Sequence, residues 1–348
     1  GLKPSYTCAV RCSAGCGMVR QAPVRGGGLL LLALAAPSVV PRSLAFTTAR
    51  PGATPGVGPW VGLRTARSSP RPAAAGGDAT IVGGSDAMRF FPPESRLPFM
   101  GVVAIARALM FASWLYILGT LASVGIAVVL PYVNKNDPDR RRAIDWIIRT
   151  WSRWAVKPFF SVKLEGLENL PDPEKACIYV ANHQSFMDIL SCLHLPRSFK
   201  FISKAEIFKI PLIGWTMAKA QHISLQREDR KSQVEVFRSA LKKLGAGTSL
   251  FIYPEGTRSK DGVMLDFKAK GAFGMARRVK VPIVPITVLG TGRMMPGGKE
   301  YMLYPSWAGV RIIIHKPISV EEVESLGDDE LVAKARSEVQ SCLPPAFR

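Results

Sequence analysis

From Ala108 to Leu130 the chain carries aliphatic, aromatic and small residues without a single charge, and the run stops at Pro131. As a helix, such a run is long enough to cross a hydrocarbon core of ~30 Å. Arg107 stands at its start, where a long side chain can snorkel to lipid headgroups. After the run, Arg140-Arg141-Arg142 opens a segment in which Ile144, Ile147, Trp151 and Trp154 share one helical face, with Arg149, Arg153 and Lys157 elsewhere. A basic, Trp-rich amphipathic helix suits a membrane surface. An ordinary amphipathic helix packed on the following domain is the alternative. The expected anchor spans residues 98–160, with an apolar helix over 108–130 and a basic helix over 139–157.

Beyond Val162 the pattern changes. Short β-rich runs at Val162–Gly166, Ala176–Ala181, Phe199–Ile202, Thr248–Tyr253, Ile283–Leu289 and Val310–His315 alternate with helical patterns at Gln233–Leu244 and Asp328–Cys342. This alternation predicts an α/β domain over 161–348, with a mixed, largely parallel sheet flanked by helices. The run Val281-Pro282-Ile283-Val284-Pro285-Ile286 holds two prolines, which places it at a sheet edge or an irregularity.

Two motifs follow strand patterns. Asn182-His183-Gln184-Ser185-Phe186-Met187-Asp188 comes directly after the run ending at Ala181, and Pro254-Glu255-Gly256-Thr257-Arg258-Ser259 after the run ending at Tyr253. With a strand ending near Ala181 and a helix starting near Ser185, Asp188 falls on the first helical turn and reaches back to His183. A carboxylate on one ring nitrogen fixes the tautomer and stabilises the imidazolium, leaving the other nitrogen as a base. Ser185 is not framed by a Gly-x-Ser-x-Gly elbow and reads as a helix N-cap. In the second motif Gly256 allows close backbone approach, and Arg258 can grip phosphate through two parallel bonds. Glu255 is expected to orient Arg258 or the hydroxyls of a phosphate-bearing ligand.

In this order and spacing, the motifs resemble the glycerolipid acyltransferase family, whose best-known members are the lysophosphatidic acid acyltransferases. Further blocks extend the likeness over about residues 155–320. They are Lys204-Ala205-Glu206-Ile207-Phe208-Lys209-Ile210-Pro211-Leu212-Ile213-Gly214-Trp215, Arg227 within Ile223–Asp229, Phe267-Lys268-Ala269-Lys270-Gly271-Ala272-Phe273, and the Val281–Ile286 run. The resemblance implies a base at His183 oriented by Asp188, and direct attack of a lipid hydroxyl on an acyl thioester. It implies acceptor binding by Glu255, Gly256, Thr257 and Arg258, with Lys204 and Arg227 as further contacts. Lys204 also fits an amphipathic segment with solvated lysines. The expected activity is acylation of the sn-2 hydroxyl of lysophosphatidic acid to phosphatidic acid. The co-substrate is acyl carrier protein or a coenzyme A thioester, and no other cofactor is implied. Glycerol-3-phosphate or another lysophospholipid is the alternative acceptor, and a catalytically silent lipid-binding relative is the alternative class.

The charge balance agrees. The 46 Lys and Arg against 26 Asp and Glu suit anionic membrane lipids, a phospholipid substrate and an acidic carrier. No helix-turn-helix, zinc spacing or RNA-binding aromatic signature accompanies them, so nucleic acid is not an expected partner. Cys177, Cys192 and Cys342 show no redox or zinc spacing and read as reduced thiols. His183, His194, His222 and His315 lack the paired spacing of a metal site.

No acidic residue precedes Asp78. A basic stretch from Met18, the candidate start, leads into the apolar Leu29–Ala36 and a small-residue site at Ser43-Leu44-Ala45, followed by Phe46. A signal-like part (18–45) and an Arg- and Ser-rich, transit-like part (46–97) resemble the bipartite plastid presequences of algae with complex plastids. The expected address is a plastid membrane. An ordinary signal peptide with the endoplasmic reticulum as destination, and a mitochondrial presequence, are the alternatives.

Overall fold

The computed structural model describes residues 99–269 and 271–348. The presequence expected over residues 1–97 lies outside the described residues. The first helix, α1 (Phe99–Asn136), has 38 residues, about 57 Å at 1.5 Å per residue. It overruns the expected 108–130 at both ends and passes through Pro131. That proline removes one backbone bond, but the ladder resumes behind it, with Asp137 N donating to Val133 O at 2.9 Å. One side of α1 buries Ala104, Ala108, Phe111, Ile126 and Val133, while Val102, Leu109, Leu121 and Val128 are exposed. Arg107 does not reach toward headgroups. Its guanidinium donates to Phe159 O at 3.1 Å and lies over the Phe159 ring.

The second helix, α2 (Arg142–Val156), buries Ile144, Asp145, Ile148, Ser152, Ala155 and Val156. The expected face of Ile144, Ile147, Trp151 and Trp154 divides: Ile144 is buried in the core, while Trp154 is 57% exposed and carries Lys157 over its ring. Two polar residues on the buried face find partners inside the protein. Asp145 Oδ1 accepts from the buried Lys200 ammonium at 2.6 Å, and Ser152 Oγ donates to Leu190 O at 2.7 Å.

The strands are β1 (Val162–Glu165), β2 (Ile178–Ala181), β3 (Phe199–Lys204), β4 (Ile223–Leu225), β5 (Ser249–Ile252), β6 (Ile283–Leu289) and β7 (Val310–Ile314). They form one sheet in the order β1-β7-β6-β2-β5-β3-β4. Every pairing is parallel except β6–β7. The connecting helices are α3 (Met187–Cys192), α4 (Ile213–Lys219), α5 (Arg230–Gly245), α6 (Ala272–Val279), α7 (Thr291–Met294), α8 (Val320–Ser325) and α9 (Asp328–Ser341). Alternate residues of central β2 feed two cores. Tyr179 and Ala181 join the side holding α1 and α2, and Ile178 and Val180 the side holding α5, α6 and α9. Cover on both faces is why β2 is apolar at every position.

The proline-containing run is not an edge. It forms β6, which lies between β2 and β7 and is buried throughout. Ile283 exchanges both backbone bonds with Ile318, and Pro285 O accepts from His315 N. The missing N–H of Pro285 faces the same side, where β7 has ended at Ile314 and the pairing slips by one residue between Ile286↔Ile314 and Ile283↔Ile318, the irregularity that the prolines predict.

Candidate active site

Parallel strands bring their C-terminal ends to one edge of the sheet, which is where α/β sheets place their ligands. Here β2 ends at the His183 motif, its neighbour β5 at the Glu255–Arg258 loop, β3 at Lys204 and β4 just before Arg227. Strand spacing of about 4.8 Å puts Lys204 roughly 10 Å and Arg227 roughly 15 Å sideways from β2. The expected residues therefore share an edge, with the Arg258 loop lying between the His183 loop on one side and the end of β3 at Lys204 on the other.

Asn182 fastens the end of β2. Its buried amide donates to Val288 O at 2.9 Å and accepts from Val288 N at 2.8 Å, extending the β2–β6 ladder through a side chain. His183 follows at once. Its Nδ1 lies 2.8 Å from Asp188 Oδ2, and its side chain is 14% exposed while that of Asp188 is fully buried. The same oxygen accepts from Gln184 N at 2.7 Å and Ser185 N at 2.8 Å. Asp188 thus shapes the loop as well as the ring. Among the described residues nothing bonds His183 Nε2. The imidazole stacks on Tyr253, with ring centroids 4.0 Å apart and planes at 15°. The Tyr253 hydroxyl donates to Cys192 Sγ, so the tyrosine is a fixed wall for the base.

Helix α3 starts at Met187, one residue after its cap Phe186, so Ser185 is not the N-cap. Its hydroxyl still accepts from Met187 N at 3.1 Å, and it donates to Met295 O at 2.6 Å. A buried hydroxyl with both roles taken is a brace, not a nucleophile.

Glu255 does not meet Arg258. Its carboxylate is buried and accepts from His183 N at 2.6 Å and from Leu265 N at 3.0 Å. Burial pushes its pKa up to about 7, against the pull of those two backbone donors. Together with the bond from Ser259 N to His183 O at 2.9 Å, Glu255 clasps the two loops into one unit. Gly256, in the left-handed region at φ 74°, turns the chain between Glu255 and the exposed Thr257. Arg258 pairs instead with Glu300, at 2.6 Å, both about two-fifths exposed. Lys204 faces Glu206 at 3.5 Å, and Arg227 is exposed, with its carbonyl taken by Gln233.

The family model described as Acyltransferase matches residues 161–289, the segment that contains this edge. A 1-acyl-sn-glycerol-3-phosphate acyltransferase of Chlamydomonas reinhardtii is 43% identical over 244 residues, covering 70% of this chain and 71% of that protein. The chain belongs to the glycerolipid acyltransferase family, among the 1-acyl-sn-glycerol-3-phosphate acyltransferases. A chloroplastic member from Arabidopsis thaliana is 40% identical over 275 residues, covering 78% of this chain and 74% of its own. The crystal structure of the LPA acyltransferase PlsC from Thermotoga maritima superposes with a TM-score of 0.56 at 29% identity, covering 68% of this chain and 94% of that one.

In this acyltransferase, sequence reasoning missed the tasks of Asn182, Tyr253 and Glu300. Asn182 and Tyr253 each close a strand beside a motif, which is a usable signal. Glu300 carries none, because it sits in a loop far along the chain from Arg258.

Proposed function

We propose that this chain transfers an acyl group from a thioester to the free sn-2 hydroxyl of lysophosphatidic acid, giving phosphatidic acid. The reading is carried by one observation: His183 Nδ1 sits on a fully buried carboxylate, and Nε2 is left for the acceptor. The relatives named as 1-acyl-sn-glycerol-3-phosphate acyltransferases support the substrate. His183 Nε2 takes the hydroxyl proton as the oxygen attacks the thioester carbonyl, a step worth roughly 10²–10⁴ in rate. Asp188 stabilises the imidazolium. The tetrahedral intermediate collapses with breakage of the C–S bond, and the departing thiolate takes the proton back from Nε2. Arg258 exchanges Glu300 for the acceptor phosphate, and Glu255 keeps base and anion loop in register. Lys204 and Arg227, further along the edge, are assigned to more distant anionic parts of the substrates.

Residues 1–97 are assigned as a presequence, 98–160 as a membrane anchor and 161–348 as the catalytic domain. The exposed apolar side of α1 and the chloroplastic relatives support attachment to a plastid membrane. The carrier there is acyl carrier protein; coenzyme A would serve in the endoplasmic reticulum.

The test is turnover by the full chain in lipid vesicles, with lysophosphatidic acid, glycerol-3-phosphate and lysophosphatidylcholine each paired with acyl-carrier and acyl-coenzyme A donors. Lysophosphatidic acid is expected to give the highest kcat/KM, and His183→Ala to lower its kcat by at least about 10². Faster turnover of glycerol-3-phosphate overturns the acceptor. A folded His183→Ala variant with half the wild-type kcat overturns the mechanism.

A further inference from the structure

The connection between β6 and β7 joins the active site to helix α1. Because β7 runs antiparallel to β6, this connection lies at the edge where β2 and β5 also end. After α7 it continues as a loop from Met295 to Gly309. The inner points of the loop are tied to the site. Met295 O accepts from Ser185 Oγ at 2.6 Å. A Cβ built on Gly297 would stand 2.8 Å from Ser259 O, so the loop presses on the residue next to Arg258. Glu300 then pairs with Arg258 itself. Beyond it the loop crosses to α1, where the buried Leu303 donates its N–H to Ala104 O at 2.9 Å. The outer points are aromatic and unpacked: Trp307 is 100% exposed and Tyr301 59%. A single exposed aromatic is ordinary on a soluble surface. These two, however, flank the contact with the turn of α1 that carries the exposed Val102 and Ile105, and so extend the apolar outer side of that helix to the mouth of the site. Lys299 is exposed on the same loop, and among the described residues no carboxylate pairs with it. Trp and Tyr rings settle at the headgroup level of a bilayer, and a lysine beside them is drawn to anionic lipid. Continuity with α1 and the unmatched lysine favour a lipid surface over a protein as what covers this patch.

We propose that Tyr301 and Trp307 seat the mouth of the active site in the lipid interface, so that the acceptor passes from the leaflet to His183 beside this loop without its acyl chain crossing water. The proposal rests on the reading of the acceptor as a membrane lipid. Helix α1 holds the enzyme on the membrane, and the loop sets which edge of the sheet faces it. A phosphate travelling at headgroup level then arrives at the height of the rings, next to the Glu300–Arg258 pair. The acyl chain of the acceptor stays in apolar surroundings on the way, so the desolvation that a lipid needs before it reacts is never undone.

Kinetics of the full chain in vesicles of equal parts phosphatidylcholine and phosphatidylglycerol tests this with two acceptors, a long-chain lysophosphatidic acid held in the bilayer and a short-chain one dissolved in water. Tyr301→Ser combined with Trp307→Ser is expected to lower kcat/KM about tenfold for the long-chain acceptor, through the loss of two aromatic side chains from the interface, and by less than about twofold for the short-chain one. Donor KM should hold. Lipids brominated along the upper acyl chain quench an indole that they touch, so less of the tryptophan fluorescence should be quenched in Trp307→Phe than in wild type. Equal falls for both acceptors would trace the effect to the Arg258 seat and overturn the proposal. No fall for either acceptor, or equal quenching in wild type and Trp307→Phe, overturns it as well. So does a rise in donor KM confined to carrier-linked acyl groups, which would make the loop a carrier dock, or a change of mass in detergent solution, which would make it an interface between copies. Quenching needs no turnover and decides the loop whatever the acceptor is. A wild-type enzyme that leaves both lysophosphatidic acids unacylated refutes the acceptor reading instead.

Discussion

Asp188→Asn isolates what the buried carboxylate contributes to catalysis. The amide oxygen can keep the place of Oδ2, where Gln184 N and Ser185 N donate at 2.7 and 2.8 Å, so the loop keeps its shape. What goes is the negative charge facing the imidazolium. With charge centres about 4 Å apart and an effective dielectric constant near 20, that attraction is worth about 4 kcal/mol. At 1.36 kcal/mol per decade, kcat should fall about 10³-fold. Acceptor KM should move little, since neither residue is assigned to the phosphate. Thiol release from the acyl donor gives the rates, and thermal unfolding confirms the fold. Because His183 and Asp188 act as one unit, adding Asp188→Asn to His183→Ala should cost almost nothing more. A folded Asp188→Asn enzyme losing less than tenfold in kcat, or losses that multiply in the double variant, would refute the reasoning.

Three further outcomes are expected. Glu255 has a folded pKa of about 7 against an ordinary 4.5, so the fold holds a proton that the unfolded chain releases. Its contribution to stability is present at low pH and is lost as pH rises from about 4.5 through about 7. Glu255→Gln, which faces one backbone N–H with an amide donor, should be less stable than wild type at pH 5, with the gap narrowing toward pH 8. A gap that is constant across denaturant titrations at those pH values contradicts the assignment. Asp145→Ala strands the fully buried Lys200 ammonium and should cost about 3–5 kcal/mol, while Asp145→Leu with Lys200→Met should return most of it; equal losses in chemical unfolding would deny the pair its role. Membrane attachment should survive removal of residues 1–97 and a high-salt wash, because apolar burial is not screened, and should fail on removal of 1–160. A shorter chain that still pellets with vesicles would place the anchor in the catalytic domain.

The His183–Asp188 geometry was legible because it is local: strand, loop and first helical turn fall within one short stretch, and the spacing carries the contact. The α/β class was legible for a similar reason, since buried central strands such as β2 read as continuous apolar runs. Glu255 was misread because its partners are main-chain N–H groups, which no side-chain pattern records. The partner of Arg258 lies on a loop beyond β6. The core-facing side of α2 was not legible because Asp145 and Ser152 look like solvent-facing residues until Lys200 and Leu190 are placed opposite them. The prolines of β6 left an edge and an irregularity open, and only the slip in pairing beyond Ile314 decides for the irregularity. Strand β4, three residues long, is too short to show a period.

Helix α1 is bonded to the rest of the described residues near its start, its middle and its end. Leu303 N donates to Ala104 O near the first turns, Ser123 meets Thr216 in the middle, and Arg141 holds Asn134 near the end. A rod fastened at both ends and the centre to one body lies along that body and does not stand away from it. An enzyme that met the membrane by this outer side would meet one leaflet only. Such an enzyme would draw substrate from one monolayer and return product to that same monolayer. Each turnover adds an acyl chain on one side only, so that side gains area relative to its opposite. Sustained synthesis therefore bends the membrane or depends on lipid crossing between monolayers to relax the imbalance.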